Sequence, residues 1–290
     1  MKRMDGKLVA RSLREHVKKD VQKLKKQGIH PSLCVILAGD NPASEVYVKH
    51  KMMACDEVGI HSKLLKFPDN VSQEKLIQEL NSLNQDPCIH GILVQLPLPE
   101  HIDQKTVLSH LSSKKDVDAL TAKSVGALWS SSAVVYPCTP KGIITMFEYY
   151  KIPLKGHHVV VVGRSLIVGR PMVQLLLEKN ATVTVCHSET VALREHTKRA
   201  DVVIVACGKH HLLKVQDFKK GSVVVDVGIH RISKDGKTIL EGDVCPEGLK
   251  NVLSYFSPVP GGVGPMTIAV LLYNTVRLAR HFPDLNEMVY

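Results

Sequence analysis

Tyr47 and Lys51 stand four residues apart near Ser44, a spacing that puts both side chains on one face of a predicted helix. A lysine in such a place moves protons near neutral pH when burial or a neighbouring cation lowers its pKa. The same spacing is common on ordinary solvent-facing helices. Gln95 ends the apolar run that starts at Gly91 and precedes Leu96-Pro97. The carboxyl end of a strand is where open parallel sheets hold ligands, although strand-end turn chemistry accounts for a glutamine there equally well. Asp116 and Asp118 offer a general acid/base pair, or a solvated acidic loop beside lysines.

A second constellation lies further along. Val162-Gly163-Arg164-Ser165-Leu166-Ile167-Val168-Gly169 places glycines at both ends of a turn from a predicted strand into a predicted helix. Free amides and the positive dipole end of that helix suit a pyrophosphate, with Arg164 adding charge and Ser165 a hydroxyl. The spacing departs from G-x-G-x-x-G, and sharp turning alone also calls for glycine. After the next strand, Cys186-His187-Ser188-Glu189-Thr190 falls where a doubly wound fold meets the adenosine ribose. Glu189 there favours a free ribose hydroxyl and hence NAD, while Arg164, His187 and Ser188 suit the extra phosphate of NADP. A plain helix-capping segment is the competing reading.

These residues need a scaffold, and the hydrophobic periodicity supplies one. Leu8, Val9, Leu13, Val17, Val21 and Leu24 recur at helical spacing, with Gly28 as a stop. Strands at 33–38, 62–66 and 91–95 then alternate with helices at 44–58 and 72–83, which is the arithmetic of a parallel sheet. A polar, irregular stretch spans 114–136, and Pro140 opens a helix reaching Tyr150. The second series has strands at 157–162, 182–186, 202–206 and 223–227, with a helix at 169–179. The Gly/Pro-rich segment 258–265 reads as a loop built for close backbone approach, followed by an apolar helix at 266–278. The expected fold is α/β with two domains: an N-terminal parallel-sheet domain over 1–140 and a Rossmann-like doubly wound domain over 141–266.

Composition narrows the function. The 290 residues suffice for two cores. No apolar run is long enough to span a membrane and no signal core opens the chain, so a cytoplasmic enzyme is expected. The seven scattered cysteines lack a C-x-x-C pair and read as reduced, buried thiols. His157-His158 and His210-His211 are chain neighbours, which rarely converge on one ion, so no metal is expected. The net charge of +10 suits any polyanion, but 4% aromatic residues make a base-stacking platform a poor reading, and no nucleic acid partner is expected.

Tyr47-x-x-x-Lys51, Gly91-Ile-Leu-Val-Gln-Leu-Pro-Leu-Pro99, Asp116-Val-Asp118, Pro137-Cys-Thr-Pro140, Gly163-Arg-Ser-x-x-Val-Gly169 and Pro258-Val-Pro-Gly-Gly-Val-Gly-Pro-Met-Thr267 together resemble the bifunctional methylenetetrahydrofolate dehydrogenase/methenyltetrahydrofolate cyclohydrolase family. The resemblance runs through the whole chain in order. It implies tetrahydrofolate substrates, NADP with NAD as the alternative, and a place in one-carbon metabolism and purine biosynthesis. It also implies a homodimer formed through the second domain, a cleft between the domains, and a last helix, 267–290, that returns to the first domain.

The same resemblance assigns roles. Lys51 moves protons in the cyclohydrolase step and Gln95 tunes it. Tyr47 packs on the folate ring system and Asp118 binds the pterin amino edge, whose donors suit a carboxylate. Leu96, Pro97, Pro260, Gly261 and Gly262 line the substrate. Gly163, Arg164, Ser165, Val168, Gly169, His187, Ser188, Cys207, Gly208 and Ile229 line the nucleotide. Hydride transfer needs alignment rather than a protein acid. The chain departs from the pattern at Ala119, where D-V-D-G has glycine, at Ser124 and His230, where asparagine is usual, and at Glu189, where many NADP-using relatives carry a basic residue. A dehydrogenase that has lost the hydrolytic step, and a non-catalytic nucleotide- or nucleic-acid-binding protein, are the competing readings.

Overall fold

The computed structural model describes residues 1–234 and 237–287. In chain order it runs β1 (Lys2–Arg3), α1 (Gly6–Lys26), β2 (Ser32–Ala38), α2 (Pro42–Val58), β3 (His61–Phe67), α3 (Gln73–Gln85), β4 (Gly91–Val94), α4 (Gln104–Ser109), α5 (Ala122–Trp129) and α6 (Cys138–Tyr149). It continues with β5 (His158–Val162), α7 (Gly169–Glu178), β6 (Thr182–Cys186), α8 (Leu193–Arg199), β7 (Val202–Val205), β8 (Val223–Asp226), β9 (His230–Lys234), β10 (Lys237–Glu241), β11 (Tyr255–Ser257) and α9 (Val263–Glu287). The chain forms two compact units, Ser12–Cys138 with Ile268–Tyr290, and Met1–Arg11 with Thr139–Thr267.

The first unit holds a parallel sheet in the order β3-β2-β4. Every residue of β2 is buried, because its two faces serve two cores. Leu33, Val35 and Leu37 pack with Val17 and Val21 of α1 and Val48, Cys55 and Val58 of α2. Cys34, Ile36 and Ala38 pack on the other side with Leu76, Leu80 and Leu83 of α3. Full burial of each large aliphatic chain contributes roughly 1.5–3 kcal/mol, so the alternation along β2 fixes its register. Asn274 of α9 belongs to this unit and donates from Nδ2 to the carbonyls of Val117 at 2.8 Å and Tyr136 at 2.7 Å.

The second unit is a six-stranded parallel sheet in the order β1-β11-β8-β7-β5-β6. The apolar runs of β5, β7 and β8 are buried, as central strands covered on both faces must be. Residues 1–11, expected in the first domain, group with this unit instead. The cause is β1, which pairs parallel with β11 through Lys2 N donating to Ser254 O at 2.6 Å and Met4 N to Phe256 O at 2.8 Å. Two residues of strand carry no hydrophobic alternation from which sequence could place them.

Other elements also differ from expectation. α9 begins at Val263, so Gly264 and Pro265 lie inside its first turn, where an amide hydrogen is not required. The loop therefore shortens to 258–262, and the last three residues of the expected 267–290 helix lie outside the described residues. The stretch 114–136 contains α5, capped by Thr121 Oγ1 accepting from Ser124 N. β9 and β10 form an antiparallel pair that the periodicity did not indicate.

Candidate active site

Asn41 starts α2 by accepting from Ala43 N and Ser44 N, Pro42 follows in the first turn, and Gly59 ends it at φ 80°. Its buried face carries Ser44, Val48, Lys51, Cys55 and Val58, a helical stripe in which Lys51 is the only charged member. Lys51 is 9% exposed, and its Nζ donates to Gln95 Oε1 at 2.8 Å. Gln95 sits just past the end of β4, where its own amide donates to Leu96 O at 2.7 Å, beside the cis Leu96–Pro97 bond. Leu96 is half-buried and Pro97 exposed. Tyr47, one turn before Lys51, is half-buried.

Burial pushes the Lys51 ammonium below its ordinary pKa, with the charge of Asp118 opposing the shift. Burial likewise pushes Asp118 up, opposed by the amide of Cys138 and by Lys51. Desolvation thus drives both groups towards their uncharged forms while their mutual attraction resists it. Asp118 Oδ1 accepts from Cys138 N at 2.9 Å. The Cys138 thiol is raised well above its usual value by burial and the nearby carboxylate, so it stays protonated.

Asp116 is engaged by the backbone. It is 1% exposed and accepts from Leu120 N at 3.1 Å and Thr121 N at 2.7 Å, which closes the turn that presents Asp118. Within that turn Ala119 adopts φ 54°, the left-handed conformation that glycine takes most cheaply. The backbone keeps a glycine-like shape without the glycine. Ser124 is buried and its Oγ accepts from Thr121 Oγ1 at 2.9 Å, which makes its departure from asparagine a matter of helix capping here.

In the second unit the expected nucleotide residues follow four adjacent parallel strands, in the order β6-β5-β7-β8, and so share the carboxyl edge of one sheet. Gly163 has φ 128°, and a Cβ there would lie 2.2 Å from Ala206 O; a Cβ on Gly169 would lie 2.3 Å from Gly163 O. Both glycines are therefore required by close strand–helix packing. Ser165 does not leave the start of α7 open: its Oγ accepts from Val168 N at 3.2 Å and Gly169 N at 3.3 Å. Arg164 is exposed and remains available to an anion.

After β6, His187 N donates to Thr190 Oγ1 at 2.8 Å, and His187 Nδ1 accepts from Glu189 N at 3.2 Å, which leaves Nε2 to carry the proton of the neutral ring. Ser188 and Glu189 are exposed. After β7, the amides of Cys207 and Gly208 both donate to Asp243 Oδ2, at 2.8 and 3.0 Å, and after β8 the apolar Ile229 is 43% exposed. An exposed guanidinium, a hydroxyl, a ring donor and an apolar wall along one sheet edge fit a dinucleotide.

The 258–262 loop answers to its own chain. Gly261 has φ 99° and its carbonyl accepts from Gly6 N at 2.9 Å; a Cβ on Gly262 would lie 2.1 Å from Ser257 Oγ. Pro260 is exposed. Sequence reasoning did not find Asp226 and Asp243, both fully buried. Asp226 accepts from the amides of Gly228, Asp243 and Val244, yet burial still lifts its carboxyl to about 6. A carboxylate directly after a β-branched strand, in Val223–Asp226, was the available signal.

Fold and site define a two-domain α/β enzyme in which one unit buries a lysine–glutamine pair and the other is a dinucleotide-binding sheet. Family models for the tetrahydrofolate dehydrogenase/cyclohydrolase catalytic domain and its NAD(P)-binding domain match residues 4–118 and 137–282. The chain belongs to the tetrahydrofolate dehydrogenase/cyclohydrolase family. It is 50% identical over 273 residues, 94% of each chain, to the bifunctional protein FolD of Nitrosospira multiformis. The crystal structure of the bifunctional FolD methylenetetrahydrofolate dehydrogenase/cyclohydrolase from Campylobacter jejuni matches with a TM-score of 0.93 and 46% identity, covering 97% of this chain and 99% of that one. The Trypanosoma brucei FolD enzyme, solved with NADP and an inhibitor, matches with a TM-score of 0.93 and 34% identity, covering 96% and 97%.

Proposed function

We propose that the chain oxidises 5,10-methylenetetrahydrofolate to the 5,10-methenyl form with NAD(P), and hydrolyses that product to 10-formyltetrahydrofolate. The observation that carries the reading is Lys51, buried and bonded to Gln95 beside Asp118. In the hydrolytic step water adds to the methenyl carbon and the bond from that carbon to N5 breaks. Lys51 Nζ takes one proton from the attacking water and passes it to N5 as the bond to N5 breaks, the remaining hydroxyl proton of the adduct leaves to solvent as the formyl C=O forms, and Gln95 Oε1 holds Nζ in line. The cationic methenyl group lowers the lysine pKa further when bound, so substrate helps to prepare its own base. Asp118 Oδ2, with Oδ1 engaged by Cys138, accepts from the pterin amino edge, and Tyr47 packs on the ring system.

Arg164, Ser188 and His187 Nε2 would hold the phosphates of NADP, a cofactor that would supply the hydride acceptor, and Glu189 would disfavour the 2′-phosphate, so that NAD would also serve. Among the described residues no helix is long and apolar enough to cross a membrane. Residence in the cytoplasm, supported by seven free cysteines, and a homodimer are part of this reading. Absorbance-monitored turnover of methylenetetrahydrofolate with NADP and with NAD, then decay of purified methenyltetrahydrofolate without nucleotide, tests it. Both activities support it; accumulation of methenyl product without enzyme-dependent decay would leave a dehydrogenase only.

A further inference from the structure

Away from the lysine site and from the residues assigned to the nucleotide, one cluster combines ligand chemistry with fixed geometry. His210 Nε2 lies 2.5 Å from Glu241 Oε2, and His211 Nε2 lies 3.3 Å from the same oxygen. The two rings stack with centroids 3.8 Å apart. Neighbouring residues usually point apart, which is why sequence reasoning discounted this doublet. Here His211 adopts φ 49°, and this left-handed turn brings both imidazoles to one side. A non-glycine residue held in that region points to a local requirement that outweighs its cost.

We propose that His210, His211 and Glu241 form a binding site for a zinc-like transition-metal ion, completed by water. Two imidazoles and one carboxylate are a zinc donor set, and three protein ligands with a fourth open position are a recurring arrangement. In a tetrahedral site with bonds of about 2.0 Å, neighbouring donor atoms lie roughly 3.3 Å apart. The His211–Glu241 pair already has that separation, and the three donor atoms lie within 4.8 Å of one another. The His210–Glu241 pair needs to open by roughly 0.8 Å to reach that tetrahedral edge. His211 Nε2 is buried and makes no hydrogen bond, so its lone pair or its proton has no partner of good geometry until an ion supplies one.

The backbone on both sides is preset. His211 N donates to Gly242 O at 3.3 Å and Leu213 N to Asp243 O at 3.3 Å, which docks the loop after β7 onto the end of β10. His230 packs edge-on against His210 with centroids 5.4 Å apart, and its Nε2 is bonded to Asp243 Oδ1 at 2.8 Å, which limits the swing of the His210 ring. A bound ion would clasp β10 to the segment that carries Cys207 and Gly208. The site thus sits where it can stiffen the nucleotide edge of this unit.

Calorimetric titration of chelator-stripped protein with zinc sulfate at pH 7.5, beside His211→Ala, Glu241→Gln and His210→Asn, tests this. One equivalent per chain is expected, with affinity weakened at least tenfold in each variant and magnesium unable to compete. Methenyl hydrolysis by the variants should match that of the unaltered chain. Metal-free melting temperatures identify any variant that is misfolded, and the remaining two decide. No saturable binding, or full stoichiometric binding that survives the substitutions because other surface histidines supply it, would overturn the proposal.

Discussion

Lys51 Nζ and Gln95 Oε1 meet at 2.8 Å, joining the buried stripe of α2 to the end of β4. The contact places the only charged group of that stripe under an acceptor and beside Asp118, whose charge opposes the desolvation of the ammonium. Neither residue alone distinguishes a proton-transfer site from a satisfied core lysine. Their pairing, with both Lys51 and Asp118 pushed towards neutrality, supports the proton-transfer reading.

Lys51→Met tests the base directly. General-base assistance accounts for roughly 10²–10⁴-fold in rate, so methenyl hydrolysis should fall by at least about 10²-fold. Methionine keeps the length of the buried chain but leaves Asp118 without its cation, so the variant should fold with reduced stability, and its melting temperature is read beside its activity. In the unaltered chain, burial lowers the Lys51 pKa, so the neutral, proton-accepting form grows as pH rises and hydrolysis should climb and then level above that lowered value. The linkage has the matching sign: the desolvation penalty weighs on the folded chain below the lowered pKa and fades as pH rises towards the unfolded one. A pH profile with no rising limb below the ordinary lysine pKa, or retained hydrolysis in Lys51→Met, would remove Lys51 from the chemistry.

Gln95→Leu separates tuning from catalysis. The lost hydrogen bond is made to a cation, a contact worth about 1.5–3 kcal/mol, so hydrolysis should drop roughly 10- to 100-fold. The acceptor stabilises the ammonium, and its removal should shift the rising limb of the pH–rate profile to lower pH. An unshifted limb with a lowered rate would mean that Gln95 only fills space.

Much of this was legible in the chain, for identifiable reasons. The alternating strands of the first unit declared themselves through runs such as 33–38, because a strand covered on both faces must be apolar throughout. Lys51 was legible as a candidate through its spacing from Tyr47, but its burial was not, since that depends on β4 arriving from 44 residues away. The capping bonds of Ser165 were not legible, because a hydroxyl near a helix start serves a phosphate and a cap with the same geometry. Asp243 and the stacked His210–His211 pair were hidden because both depend on the β9–β10 pair, whose polar alternation at 230–241 gives no core-facing signal.

Ala119→Gly should leave stability nearly unchanged. Relief of the left-handed strain at φ 54° favours glycine by about 1–2 kcal/mol, whereas added chain entropy costs about 0.5–1 kcal/mol and loss of a buried methyl about 0.8 kcal/mol. The net change lies within about 1 kcal/mol by chemical denaturation. Ala119→Val adds a β-branched chain to the same conformation at a fully buried site and should destabilise by more than about 2 kcal/mol. Equal stability of the alanine and valine forms would show that the turn relaxes, and with it the placement of Asp118.

Glu189 sets the cofactor preference if the end of β6 meets the adenosine ribose. It is exposed, its amide is fixed on His187 Nδ1, and Ser188 beside it is exposed as well. A carboxylate there accepts from ribose hydroxyls but repels a 2′-phosphate. Charge reversal in Glu189→Arg exchanges that repulsion for a charge-assisted contact, worth roughly 1.5–3 kcal/mol at a partly screened site. The ratio of kcat/KM for NADP over NAD should therefore rise at least about tenfold, with most of the change in KM for the nucleotide. The gain should shrink as salt is added, because the site is open to solvent. A ratio unaffected by the substitution would move the ribose away from Glu189 and leave Arg164 and His187 Nε2 as the groups that read the phosphate.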